Sequence, residues 1–187
     1  MTNKERFISL CKSIKREGMD GLLQWLENSD FFSCPASTRY HGSYEGGLLQ
    51  HSLNVYDEAQ RLLKAYPDIK INEESVIVAT LFHDLCKVNF YTTEQRNRKN
   101  KETGQWETYN AYKVEEKFCY GGHGSKSVFV LQNFIKLTPE EAVAINCHMG
   151  AYSADADSVS DAFKQHPFAW IVHVADEAST YLRETEV

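Results

Sequence analysis

The sequence has no C-x-x-C pair, and its five cysteines, Cys11, Cys34, Cys86, Cys119 and Cys147, are odd in number and widely scattered. Thiolate zinc sites and small disulfide frameworks need closely or regularly spaced cysteines, so neither is expected, and the thiols read as reduced and buried. No apolar run approaches the roughly 20 residues that a membrane-spanning helix needs. Residues Met1 to Arg6 carry no apolar core with a small-residue cleavage site, which makes a cytoplasmic location the expectation. An excess of basic charge is also missing. The 20 Lys and Arg stand against 26 Asp and Glu, and a formal net charge of -6 disfavours long nucleic acid as a partner. Small phosphorylated ligands stay open, because a bound ion can set the local charge. Repeats, low-complexity tracts and linkers are absent. One domain over 1–187 is expected, with helices in 1–34 packed on a core over 35–182.

What is present is mainly helical punctuation. Thr2 and Glu5 form a capping box, and Phe7, Ile8, Leu10, Cys11 and Ile14 give the helix that runs to Arg16 its apolar face, with Gly18 as its stop. A short helix from Asp20 to about Asn28 precedes an ordered loop to Gly46. From Gly47, the residues Leu48, Leu49, Leu53, Val55, Ala59, Leu62 and Leu63 recur at three and four, and Pro67 lies beyond them. Asn72 caps the next helix, and Glu73 and Glu74 suit its positive end. With Val76, Ile77, Ala79, Leu81 and Phe82 that helix is apolar nearly all round, so it should be central.

Residues 88–112 change character. Phe90, Tyr91, Thr92 and Thr93, a polar turn around Gly104, then Trp106, Thr108, Tyr109 and Tyr112 predict a β-hairpin projecting from the helices. Its aromatic residues would cover a site or cap the core, and the basic run Arg96, Arg98, Lys99, Lys101 near the tip reads as solvated surface. A helix over 124–136 follows. Thr138 then caps another, with Pro139 in the first helical position and Glu141 completing the box. This helix ends near Gly150, a polar loop covers 153–161, and the last helix begins at Pro167 and ends near Tyr181 or Leu182. The expected architecture is all-α: a compact helical bundle with one hairpin.

The chemistry lies in the histidines and aspartates. His83-Asp84 places an imidazole and a carboxylate in the most hydrophobic helix, where a buried carboxylate costs several kcal/mol unless a cation or donors compensate it. Lys87, four and three residues on, can share their face and meet a phosphate, or it can simply favour the negative helix end. Asp176 is another carboxylate on an apolar face, and His173 three residues before it reads as orienting it. The stretch Gly121-Gly122-His123-Gly124-Ser125-Lys126-Ser127 only superficially suggests a phosphate-binding loop: it lacks the glycine before the lysine and a preceding strand.

The order His51, His83-Asp84, Asp176 resembles the H…HD…D signature of the HD superfamily. Glu45-Gly46-Gly47-Leu48-Leu49-Gln50-His51, Leu81-Phe82-His83-Asp84-Leu85-Cys86-Lys87 and Val172-His173-Val174-Ala175-Asp176 carry that likeness across about residues 35–182. The resemblance implies an HD-type bundle hydrolysing a phosphate ester with one or two divalent metals. It implies that His51, His83, Asp84 and Asp176 hold the first ion. It places His123 and His148 where two-metal members carry extra histidines, with Asp84 bridging. Met149 stands where some relatives have a further histidine, which argues against a third ion.

Imidazole and carboxylate ligands suit Mn, Fe, Zn, Co or Ni. A water whose pKa is lowered towards about 7 would attack phosphorus, with Asp84 and Lys87 as the catalytic pair. Lys87, Lys126, Arg39 and His41 are the candidates for holding the substrate, a small, nucleotide-like phosphate ester. Two other functions fit the same residues: a di-iron oxygenase of the HD type, and a nucleotide-binding sensor without turnover.

Overall fold

The computed structural model describes residues 1–152 and 156–184. Its helices begin where the caps predict. Ahead of α1 (Asn3–Ser13) the Thr2 hydroxyl accepts the Glu5 amide and the Glu5 carboxylate accepts the Thr2 amide. The Asn72 side chain accepts the Ser75 amide at 2.8 Å and opens α4 (Glu73–Phe82). Thr138 and Glu141 repeat the reciprocal box ahead of α6 (Pro139–Cys147). Each cap satisfies amides that the first turn of a helix leaves without a partner.

Gly18 does not stop α1, which already ends at Ser13. With φ at 88° it heads α2 (Met19–Glu27) in the left-handed region that glycine alone enters freely. The polar stretch expected as a loop over 153–161 is helical from Ala156, since α7 spans Ala156–Gln165; residues 153–155 lie outside the described residues. Serine and aspartate are weak helix formers, and here tertiary packing outweighs propensity: Val159 is buried and Phe163 packs on the core. The last helix is in two pieces, α8 (Pro167–Ala178) and a π-helical turn over Ser179–Arg183.

Helix α3 (Gly47–Ala65) packs on α4 and α8, while α6 packs on α4, α8 and α5 (His123–Gln132). Every residue of α4 from Ser75 to Phe82 is buried, as its all-round apolarity predicts. The N-terminal helices share this core: the Phe7 ring lies 4.9 Å from Phe31 and 5.8 Å from Phe82. Beneath them Arg16 bridges to Glu141 of α6, so the link between α1 and α2 is tied across the bundle.

The hairpin consists of β1 (Tyr91–Lys99) and β2 (Trp106–Val114), antiparallel, with Tyr91 opposite Val114 and Lys99 opposite Trp106. It sits slightly later than the 88–112 expected. Near its tip Trp106 is 74% exposed, and at its root Tyr91 and Val114 line the site described below. Arg96 pairs with Glu94 and Arg98 with Glu107, which fits solvated surface. Four of the five cysteines are buried, and Cys119 is exposed, against the expectation of a fully buried set. Among the described residues no helix is long and apolar enough to cross a membrane.

Candidate metal centre

The same local device occurs at the ends of two helices. His83 and His148 are the C-terminal caps of α4 and α6, each still in helical conformation. The Nδ1 of His83 lies 2.8 Å from the Thr80 carbonyl, and that of His148 lies 2.7 Å from the Ile145 carbonyl, both three residues back. A carbonyl only accepts, so each Nδ1 carries the hydrogen, and each Nε2 is turned to the centre of the bundle as the nitrogen left for a metal. On α3, His51 is pinned in the same sense: its Nδ1 faces the Glu184 carboxylate at 3.1 and 3.2 Å.

These three Nε2 atoms meet two carboxylates. His51 Nε2 lies 3.2 Å from His83 Nε2, 3.1 Å from Asp176 Oδ1 and 3.7 Å from Asp84 Oδ2. His83 Nε2 lies 3.4 Å from Asp84 Oδ2, and His148 Nε2 lies 3.6 Å from Asp84 Oδ1. Ligands at about 2.0–2.2 Å from one ion stand about 3.0–3.5 Å from each other, so these separations are close to the edges of a coordination shell. Two members, Asp84 Oδ1 and His148 Nε2, are buried with no hydrogen-bond partner among the described residues. Converging lone pairs in a buried site need a cation. The donor set fits a divalent ion.

The carboxylates also favour positive charge on the imidazole they face. Burial opposes a charged His51, but its hydrogen bonds to Asp176 and Glu184 prevail and raise its pKa to about 10. Asp84 is held well below the usual carboxylate range: burial works against ionisation, and Lys87 and His83 outweigh it. Asp176 is likewise depressed, burial being outweighed by His51.

Lys87 is reached through a change of helix type. After Asp84 the chain tightens into a 3-10 turn, Leu85–Lys87, in which residues three apart eclipse. Lys87 Nζ therefore sits 2.6 Å from Asp84 Oδ2. Burial disfavours its charge, yet the Asp84 carboxylate raises its pKa above the usual lysine value. The ammonium is fixed in place beside the cluster.

A pocket of about 630 Å³ opens over these groups, with Asp84, Lys87, Asp176 and His123 in its walls and Tyr40, Phe90, Tyr91, Tyr152 and Tyr181 around them. His41 lines it too: its ring is 4.8 Å from that of His51, its Nε2 is buried without a partner among the described residues, and burial followed by His51 lowers its pKa to about 4. His123, the first residue of α5, groups with Asp84 and Cys86, its Nδ1 3.4 Å from Cys86 Sγ. Two proposed substrate contacts are placed differently. Lys126 Nζ bonds Glu116 at 2.7 Å beside the Phe90 ring, and the exposed Arg39 bonds the Tyr40 hydroxyl at 2.9 Å.

His173 does not take the role expected of it. Its Nδ1 bonds the His148 carbonyl at 2.7 Å, and its ring lies over Gly150, where a Cβ would stand 2.5 Å from Cε1. It props the turn that carries His148 and does not orient Asp176. Sequence reasoning missed Glu184, which also accepts from Asn54 Nδ2 at 2.7 Å; an isolated acid near the end of a helix carries no signal of its partner.

The HD domain model matches residues 48–181, well over half of the chain. The chain belongs to the HD domain family. It is also similar to the dihydroneopterin 2',3'-cyclic phosphate phosphodiesterase of Methanocaldococcus jannaschii, with 24% identity over 200 residues that cover 98% of this chain and 71% of the relative. No solved structure matches it. Within the HD domain segment lie His51, His83, Asp84, His123, His148 and Asp176, whereas Glu184 follows it.

Proposed function

We propose that this HD domain protein is a metal-dependent phosphohydrolase that uses water to cleave a small, nucleotide-like phosphodiester. The observation that carries the reading is the convergence of three histidine Nε2 atoms with Asp84 and Asp176 beneath a pocket that also holds a buried lysine. We assign His51, His83, Asp84 and Asp176 to one ion, and Asp84, His123 and His148 to a second. A bound divalent ion supplies Lewis acidity at the phosphoryl oxygens and lowers the pKa of a water that attacks phosphorus.

The chain's own groups complete the chemistry. Asp84 is buried and ionised, and it faces both proposed ion positions. Lys87, held by Asp84, has further N–H donors for a non-bridging phosphoryl oxygen, where charge grows in the transition state. The tyrosines and Phe90 around the pocket suit a planar ring attached to the phosphate. The relative's name specifies a 2',3'-cyclic phosphate carried by a pterin, which is a small phosphodiester of this kind.

Metal-replete protein assayed with nucleoside and pterin 2',3'-cyclic phosphates should release a phosphomonoester, and Asp84→Ala should abolish that release. No hydrolysis of any phosphodiester by the replete protein would sink the reading. Oxygen consumption by an iron-loaded form would turn it to the oxygenase.

A further inference from the structure

Cys86 lies between Asp84 and Lys87 in the tight turn that follows the HD pair, and it is 3% exposed. A buried cysteine is most often a small apolar filler. Cys34 matches that description, its Sγ turned 3.8 Å from the Phe31 carbonyl of its own loop. Cys86 is placed otherwise. Its amide donates to Ser127 Oγ at 3.0 Å, which ties the turn to α5, and its Sγ meets His123 Nδ1 at 3.4 Å. Sulfur, that imidazole and the Asp84 carboxylate offer ligand atoms within 4.8 Å of one another.

Sulfur at about 2.3 Å and nitrogen at about 2.0–2.1 Å from a tetrahedral ion stand roughly 3.5 Å apart, close to the separation found. The Asp84 carboxylate in this group has its Oδ1 buried with no hydrogen-bond partner among the described residues, so it can meet a cation there. We propose that Cys86 Sγ is a further ligand of the second ion, joining Asp84, His123 and His148 in a position of mixed sulfur, nitrogen and oxygen donors. The inference rests on the metal centre proposed above. On coordination the thiol releases its proton to solvent and binds as thiolate. A thiolate in the set favours Zn²⁺, Co²⁺ or Fe²⁺ over the harder Mn²⁺ and Mg²⁺.

The test loads the full metal-free chain with Co²⁺, follows its absorption, and counts bound cobalt by elemental analysis. At two cobalt per chain an intense near-ultraviolet sulfur-to-cobalt charge-transfer band is expected beside the weaker visible bands. Cys86→Ser and Cys86→Ala should lose that band and bind the second ion at least about tenfold more weakly, while Cys119→Ser and Cys147→Ser keep both. Circular dichroism checks each variant's fold, and the wild-type spectrum decides the matter even where a variant fails to fold. Cobalt bound without a sulfur band, or a band that survives in Cys86→Ser, overturns the assignment of Cys86 and leaves the metal centre standing. No cobalt bound at all overturns both.

Discussion

The Glu184 carboxylate grips Nδ1 of His51 with both oxygens, at 3.1 and 3.2 Å, from a position just beyond the HD domain match. Asn54 holds the same carboxylate, and next to it Arg183 bonds Glu58 at 2.5 Å, so the end of the described chain is clamped to α3 behind the first histidine. Such a partner fixes the tautomer of a ligand imidazole and makes it more basic, and its loss costs about 10–100-fold in metal affinity. Glu184→Ala should weaken the ion assigned to His51 by that factor in competition with a chromophoric chelator. Glu184→Gln, whose amide oxygen still accepts one bond, should fall between. Unaltered affinity in Glu184→Ala would show that His51 needs no such hold.

Lys87 offers a separable effect. Its ammonium beside Asp84 is aimed at the pocket, and removing one preorganised donor to a developing oxyanion costs about 10²–10³ in kcat. Lys87→Met should show that loss with two ions still bound per chain. Lys87→Arg should not restore activity, because a planar guanidinium cannot occupy a buried point-charge position on a tight turn. Steady-state kinetics alongside metal analysis reads both outcomes.

Much of this could be read from residue order alone, and the reason is local. Thr2–Glu5, Asn72 and Thr138–Glu141 set helix starts through contacts three residues long, and the histidines and aspartates at the ends of α4, α6 and α8 inherit their positions from those helices. The failures are long-range. Glu184 meets His51 across 133 residues, and Glu141, legible as a capping residue, also receives Arg16 from 125 residues away. His173 has helical spacing to Asp176, but the space above Gly150 decides where its ring goes. Helix α7 was hidden because its serines and aspartates speak for a loop, whereas Val159 and Phe163 gain their helical sense only from the core they touch.

Metal removal should destabilise the protein, because an ion binds only the assembled cluster. At a free concentration one hundred times its Kd, an ion stabilises by about 2.7 kcal/mol. For a chain of this size each kcal/mol moves Tm by about 2–4 °C. Chelator should therefore lower Tm by several degrees in differential scanning calorimetry, and added Zn²⁺ or Mn²⁺ should restore it. An ion that leaves Tm unchanged is not held by His51, His83, Asp84 and Asp176.

The Arg16–Glu141 pair makes a pH prediction away from the site. The Glu141 side chain is fully buried and that of Arg16 is 15% exposed, with Arg16 Nη2 2.5 Å from Oε1. Burial would raise the Glu141 pKa, but Arg16, Ser75 and the Thr138 amide outweigh it and hold it below the ordinary glutamate value. A carboxyl with a depressed folded pKa contributes fully above its unfolded value of about 4.3, and that contribution is lost as pH falls through the folded value. Arg16→Met leaves the carboxylate buried without its cation, which costs about 3–5 kcal/mol at neutral pH, towards the low end here because Arg16 is partly solvated. Burial, no longer opposed by Arg16, shifts the variant's Glu141 upward, so it takes a proton more readily as pH falls and the penalty shrinks. Urea unfolding of both proteins at pH 7 and near pH 4 should therefore give a stability gap that narrows on acidification. A gap that stays constant across that range would mean that Arg16 acts through packing and not through its charge.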